Sequence, residues 1–211
     1  RIRAHGQAHV HVAPNGVDAQ TFAPRPDADV EPGSLLFVGS LDWRPNLDAI
    51  GWFLDEVQAP LQRLRPDARL TVVGRHPPEW LVKRAAAHDG VTIAASVPDV
   101  RPYVASAAVS IVPLRIGGGS RLKICEALAM ERPVVSTSVG AEGLALGDGL
   151  VRADGAEPFA RAIAEVLDGP EAAAAMARRG RERVLARYEW DHIAPLQAAA
   201  WRDAIERRRG A

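Results

Sequence analysis

Residues 109–130 read VSIVPLRIGGGSRLKICEALAM. The first four are strand formers, the glycines at 117–119 interrupt any regular element, and the spacing from Ser120 to Met130 predicts an amphipathic helix. A buried strand, a glycine loop and a helix in that order make the unit of a parallel α/β sheet. The same alternation recurs on either side. Runs at 35–39 (LLFVG), 70–74 (LTVVG), 91–94 (VTIA), 134–137 (VVST) and 150–152 predict further strands. Most are apolar throughout, as befits strands covered on both faces. Helical spacing predicts connectors over 46–64, 78–88, 99–106 and 158–167, then two terminal helices over 171–188 and 191–208. The expected fold is a right-handed, doubly wound α/β domain with a parallel sheet of about six strands.

Composition narrows the function classes. The 211 residues balance 26 basic against 26 acidic side chains, so no broad cationic face is expected and no nucleic-acid partner with it. Any bound anion must be held locally. Cys125 is the single cysteine, which excludes an intrachain disulfide and cysteine-based metal frameworks. No apolar run reaches the roughly 18 residues of a membrane span, and no signal peptide opens the chain. A soluble, cytoplasmic domain is expected. The chain starts at Arg1 and reads as the interior of a longer protein. The stretch 22–33 (FAPRPDADVEPG) reads as an extended lead-in, with the compact domain after it. Arginine abundance beside so many alanines reflects a GC-rich coding sequence, whereas Lys83 and Lys123, the two lysines, carry more information.

In doubly wound sheets, ligands sit where helix N-termini point across the C-terminal ends of strands. Most helices here open with an acid at the positive dipole end: Asp48, Glu79, Asp99, Glu157, Glu171 and Asp191. The helix after Gly117, Gly118 and Gly119 does not. Ser120 is followed by Arg121 and Lys123, and a capping box would place Glu where Lys123 stands. Cations there cost about 0.3–1 kcal/mol each unless an anion shares the site. Glycine backbone approaches a phosphate closely and Arg and Lys supply charge-assisted hydrogen bonds, so residues 117–123 read as a phosphate or diphosphate site. The plainer alternative is a tight glycine turn with Lys123 paired to Glu126 at i,i+3. Glu126, on the same helical face, has the reach to accept from both hydroxyls of a ribose, or is simply a solvent-facing acid.

Other candidates are weaker. Gly39–Ser40 and Gly74–Arg75 close two strands and would line the same crevice, with Arg44 and Arg75 as further cations. His5, His9 and His11 alternate without forming a closed ligand set, and no metal site is expected. Cys125 is assigned to the core. Trp43, Trp52, Trp80, Trp190 and Trp201 read as core or domain-interface residues.

The ordered motifs APNGVDAQTF (13–22), LLFVGSLDWRPN (35–46), LTVVGR (70–75), VPDVRPYVASA (97–107), PLRIGGGSRLKICEALAMERPVVSTSVGAEGL (113–144) and RYEWD (187–191) together resemble the C-terminal half of a group 1 (family 4) glycosyltransferase. The resemblance implies a GT-B enzyme, in which two Rossmann-like domains face across a cleft and the C-terminal one holds a nucleotide-diphosphate sugar. Such enzymes are typically retaining and need no metal or other cofactor. It implies that backbone and side chains around Gly118–Lys123, Ser120 and Leu122 included, hold the diphosphate with Gly39, Ser40 and Arg44. Glu126 matches the second Glu of an E-x7-E motif and would bind the ribose. Arg75, Val97 and Asp99 would lie near the base, and the crossing loop would be 14–18.

The implied organisation is a lead-in and crossing segment (1–33), a nucleotide-sugar domain (34–189) and a terminal helix (190–211) that packs toward an absent N-terminal acceptor domain. Membrane association, if any, would belong to that half. Three departures stand out. The first Glu of E-x7-E is Gly118, the family's Arg after the first strand's glycine is Ser40, and the following Lys-Gly is missing. Arg121 and Lys123 must then carry most of the positive charge, helped by Arg44. The expected function is the donor-binding half of a hexosyltransferase, incomplete and inactive alone. Two other readings stay open: half of a sugar-nucleotide epimerase, and a non-catalytic nucleotide-binding module.

Overall fold

The computed structural model describes residues 11–119 and 121–210. Six strands, β1 (Glu31–Val38), β2 (Arg69–Gly74), β3 (Val91–Ala95), β4 (Ala107–Val112), β5 (Val134–Ser136) and β6 (Val151–Arg152), form one sheet. Their order is β3-β2-β1-β4-β5-β6 and every pairing is parallel. The helices are α1 (Arg44–Trp52), α2 (Gln58–Leu64), α3 (Glu79–Ala86), α4 (Arg101–Ser106), α5 (Leu122–Ala129), α6 (Ala156–Asp168), α7 (Pro170–Tyr188) and α8 (Trp190–Gly210). Helices α2 and α6 pack on each other, as do α5 and α7, so the sheet is covered. This is the expected Rossmann-like, doubly wound α/β fold. The order reverses between β1 and β4, which makes the crevice above the C-terminal ends of those two strands the switch point.

The continuous apolar runs are buried as their composition demands. Phe37, Val72, Ile111, Val134 and Val135 are fully covered, and Phe53 and Phe159 fill the layer between sheet and helices. Strand β1 enters the sheet at Glu31, upstream of the predicted 35–39, and its pairing with β4 breaks register between Glu31 and Leu35. Gly33 sits in that irregularity with φ +74.

The helix expected over 46–64 is three segments: α1, a π-helical stretch Phe53–Val57, and α2. Pro60 explains the break. It has no N–H for the Glu56 carbonyl and its ring would clash there, so the preceding turn widens. The Gln58 N–H accordingly reaches back five residues to the Phe53 carbonyl. Helix α1 also starts two residues earlier than expected, so Asp48 lies beyond the first turn, which contains no acid. Of the five tryptophans Trp52 alone is in the core, edge-on to Phe159, while Trp43, Trp80, Trp190 and Trp201 are exposed.

Residues 14–18 are tied to the junction of α7 and α8. Val17 donates to the Tyr188 carbonyl at 2.6 Å, and Trp190 donates back to the Val17 carbonyl at 3.3 Å. Among the described residues no helix is long and apolar enough to cross a membrane.

Candidate functional site

Above the switch point, two helix N-termini converge. Helix α5 begins at Leu122 with Arg121 at its N-cap and no acid in its first turn. Helix α1 begins with Arg44, also without an acid in its first turn. The glycine loop lies between them. Gly117 (φ +119) and Gly119 (φ +99) hold left-handed backbone, and a Cβ on Gly117 would press on Pro45 at 3.1 Å. Arg115 anchors the loop from outside, bonding Asp48 at 2.7 Å and lying over the Trp52 ring at 5.7 Å. Asp48 is thus the partner of the loop's arginine and not a first-turn acid. Ser120 lies outside the described residues, as do His5 and His9.

Lys123 does not pair with Glu126. Its Nζ donates to Asn46 Oδ1 at 2.9 Å and sits 4.2 Å above the Phe37 ring. Asn46 is itself buried and donates through Nδ2 to the Ser40 carbonyl at 2.8 Å. Gly39 makes room for both groups, since a Cβ there would lie 2.8 Å from Lys123 Nζ and from Asn46 Nδ2. The ammonium of Lys123 therefore reaches from α5 over the end of β1. Burial there pulls its pKa down to about 7; Glu126 opposes this and Arg121 reinforces it.

Glu126 is partly buried and not solvent-facing. Burial raises its carboxyl above the usual range against the pull of Lys123. For both side chains burial outweighs their mutual attraction, which marks a site short of counter-charge rather than a settled ion pair.

Arg121 is placed differently from Lys123. Its guanidinium is buried and donates to the Val139 carbonyl at 2.7 Å and to the Gly117 carbonyl at 3.4 Å, with Glu142 3.7 Å away. Nε is buried without a hydrogen-bond partner among the described residues. The side chain clamps the glycine loop to the turn after β5. That turn is rigid in turn, because Thr137 Oγ1 donates to the Leu114 carbonyl and accepts from Gly140 N. Leu122 lines a cavity of ≈ 340 Å³ together with Gly119 and Arg121 of the loop region, Pro14, Asn15 and Cys125. Burial pushes the Cys125 thiol up to about 12, so it stays protonated.

A second cavity, ≈ 190 Å³, opens at the ends of β1 and β2 and is lined by Gly39, Ser40, Gly74, Arg75, Val97 and Val100. Gly74 is required there, because a Cβ would fall on the Gly39 carbonyl oxygen. Five residues singled out from different parts of the sequence, Gly39, Ser40, Gly74, Arg75 and Val97, thus share one hollow beside Lys123. Asp99 lies nearby with its carboxylate engaged by Arg101 Nε at 2.8 Å and by the Arg101 backbone N–H at 2.9 Å, which holds its pKa low. Arg44 is exposed at the mouth. Asn46 and Arg115 escaped the sequence reading. Their partners are 77 and 67 residues away, and no local pattern marks such contacts.

Fold and crevice together define a Rossmann-like α/β domain with two acid-free helix N-termini at its switch point. The chain belongs to the family Glycosyl transferases group 1, whose sequence profile matches residues 32–169. Glycogen synthase of Mycobacterium tuberculosis is 27% identical over 210 residues, covering 93% of this chain and 49% of that enzyme. The structure of sucrose-phosphate synthase from Thermosynechococcus elongatus superposes with a TM-score of 0.77 at 25% identity, over 92% of this chain and 52% of that one. HepE of Anabaena, in complex with UDP and glucose, superposes with a TM-score of 0.75 at 16% identity, over 95% and 59%. The chain thus spans about half the length of these relatives.

Proposed function

We propose that this chain is the donor-binding half of a retaining, metal-independent glycosyltransferase that takes a nucleotide-diphosphate sugar and passes its hexosyl group to a glycan, lipid or small-molecule acceptor. The observation that carries the reading is the meeting of two acid-free helix N-termini, α1 and α5, around a glycine loop with the Lys123 ammonium between them. Loop amides, helix dipoles and Lys123 would neutralise the diphosphate. Arg121 would act by holding the loop, Arg44 by adding charge at the mouth. Glu126 would accept from the ribose hydroxyls, and the hollow at Gly39, Ser40, Arg75 and Val97 would take the base.

Transfer breaks the bond from the sugar's anomeric carbon to the diphosphate oxygen and forms one to an acceptor hydroxyl oxygen, whose proton passes to the departing diphosphate. Negative charge grows on the departing diphosphate, where the fixed positive groups stabilise it more than in the ground state. Water must be kept from the cationic sugar centre, which requires a closed cleft. In this reading the closing half is an N-terminal acceptor domain, so the chain alone binds donor and turns over little.

The test is calorimetric titration of the chain with UDP, GDP and ADP in the presence of a chelator. Binding of one nucleotide, weakened at least tenfold by Glu126→Ala, is expected. Binding that survives both Glu126→Ala and Lys123→Ala would place the pocket elsewhere.

A further inference from the structure

Lys123 is held in an unusual way for a group that must meet an anion. Its one hydrogen-bond acceptor among the described residues is the neutral Oδ1 of Asn46, and its underside rests on the Phe37 ring. The charged groups that face it are Glu126 and Arg121, both on its own stretch of chain. From β1 and α1 it meets Phe37, Gly39 and Asn46, none of which ionises. The carboxylate nearest along α1, Asp48, is occupied by Arg115.

We propose that the diphosphate enters this site together with one proton, which lands on Lys123 Nζ, and that Asn46 is the positioning residue that makes this possible. The inference rests on the donor-site reading above. A neutral amine and an ammonium both donate to Asn46 Oδ1, so the side chain keeps one place in both states. An aspartate at position 46 would hold the ammonium permanently and leave a negative charge beside the phosphates. Asn46 therefore keeps Lys123 in register while supplying no counter-charge, and the ligand supplies it instead. The balance is simple: Lys123 –NH2, a solvent proton and the diphosphate give an ammonium–diphosphate pair. Nucleotide affinity then falls as pH rises above neutrality, by up to tenfold per pH unit.

The experiment is titration of the chain with the nucleotide that binds best, at pH 8, in two buffers of different ionisation heat. At that pH phosphates, with a second pKa near 6, are fully ionised, so the nucleotide itself does not obscure the count. An uptake of most of one proton per nucleotide is expected at pH 8. Asn46→Asp is expected to abolish the uptake and weaken binding at least tenfold. Lys123→Arg, charged throughout, is expected to lose the uptake at pH 8 whatever its affinity. Binding with no proton uptake in the unaltered chain would overturn the linkage and leave the donor site standing. Uptake that persists in Lys123→Arg would assign the proton to another group and overturn it equally. Failure of any nucleotide to bind would sink the site reading itself, and the linkage with it.

Discussion

Lys123 Nζ donates a 2.9 Å hydrogen bond to Asn46 Oδ1, which joins the first turn of α5 to the first turn of α1 across the end of β1. The contact replaces the local Lys123–Glu126 pair that i,i+3 spacing allows, and it costs the protein something. A lysine whose pKa lies near 7 in the fold and about 10.4 in the unfolded chain binds fewer protons when folded. Between those values stability rises with pH, and below pH 7 the whole burial cost is present.

Lys123→Met is therefore expected to stabilise the nucleotide-free chain, by on the order of 1 kcal/mol at pH 6 and by less at pH 9, while removing nucleotide binding. Thermal unfolding at the two pH values, without nucleotide, checks the sign. A lower Tm for the variant at pH 6 would mean that the buried ammonium supports the fold.

Glu126 offers a test that separates ribose from phosphate. Its carboxylate is partly buried, and its neighbours among the described residues give it no hydrogen-bond donor. Glu126→Ala is expected to weaken UDP, GDP or ADP by roughly ten- to a hundredfold, the scale of one or two charge-assisted hydrogen bonds. Pyrophosphate, which lacks the diol, is expected to bind the variant as well as it binds the parent. Equal losses for both ligands would move Glu126 to the phosphate end.

Much of this architecture was legible because buried parallel strands write themselves as unbroken apolar runs: LLFV, LTVV and VSIV are each a strand in the sheet. The glycine loop was legible for a different reason, the missing acid before Lys123. What escaped notice was whatever depended on partners far along the chain. Asp48 looked like a helix-start acid until α1 proved to begin at Arg44 and Asp48 proved to hold Arg115. Arg121 and Lys123 looked equivalent as cations two residues apart. Helical geometry sends one to the carbonyls of Val139 and Gly117 and the other over Phe37.

Arg115 should influence binding without touching ligand. Its bond to Asp48 is partly exposed, so Arg115→Ala is expected to lower stability by no more than about 1 kcal/mol. Freed from α1, the glycine loop would pay an ordering cost on binding, and nucleotide affinity is expected to drop severalfold. Calorimetry and thermal unfolding on the same variant measure both. A large loss of stability with affinity intact would make Arg115 a fold residue only.

The glycines include some that the fold needs and some that it does not. Gly74→Ala would drive a methyl group into the Gly39 carbonyl and is expected to destabilise by several kcal/mol or prevent folding. Gly118 is the opposite case: a Cβ there meets nothing within 4 Å among the described residues and its backbone is not left-handed. Since Gly118 stands where the family's E-x7-E motif has its first glutamate, Gly118→Glu is expected to fold with an unchanged Tm. If the missing carboxylate is what weakened the hold on the sugar, the variant should bind a nucleotide sugar relatively better than the free nucleotide, by a fewfold compared with the parent. Should the ratio stay the same, the loop amides already supply that contact, and the glycine is a working substitute rather than a loss.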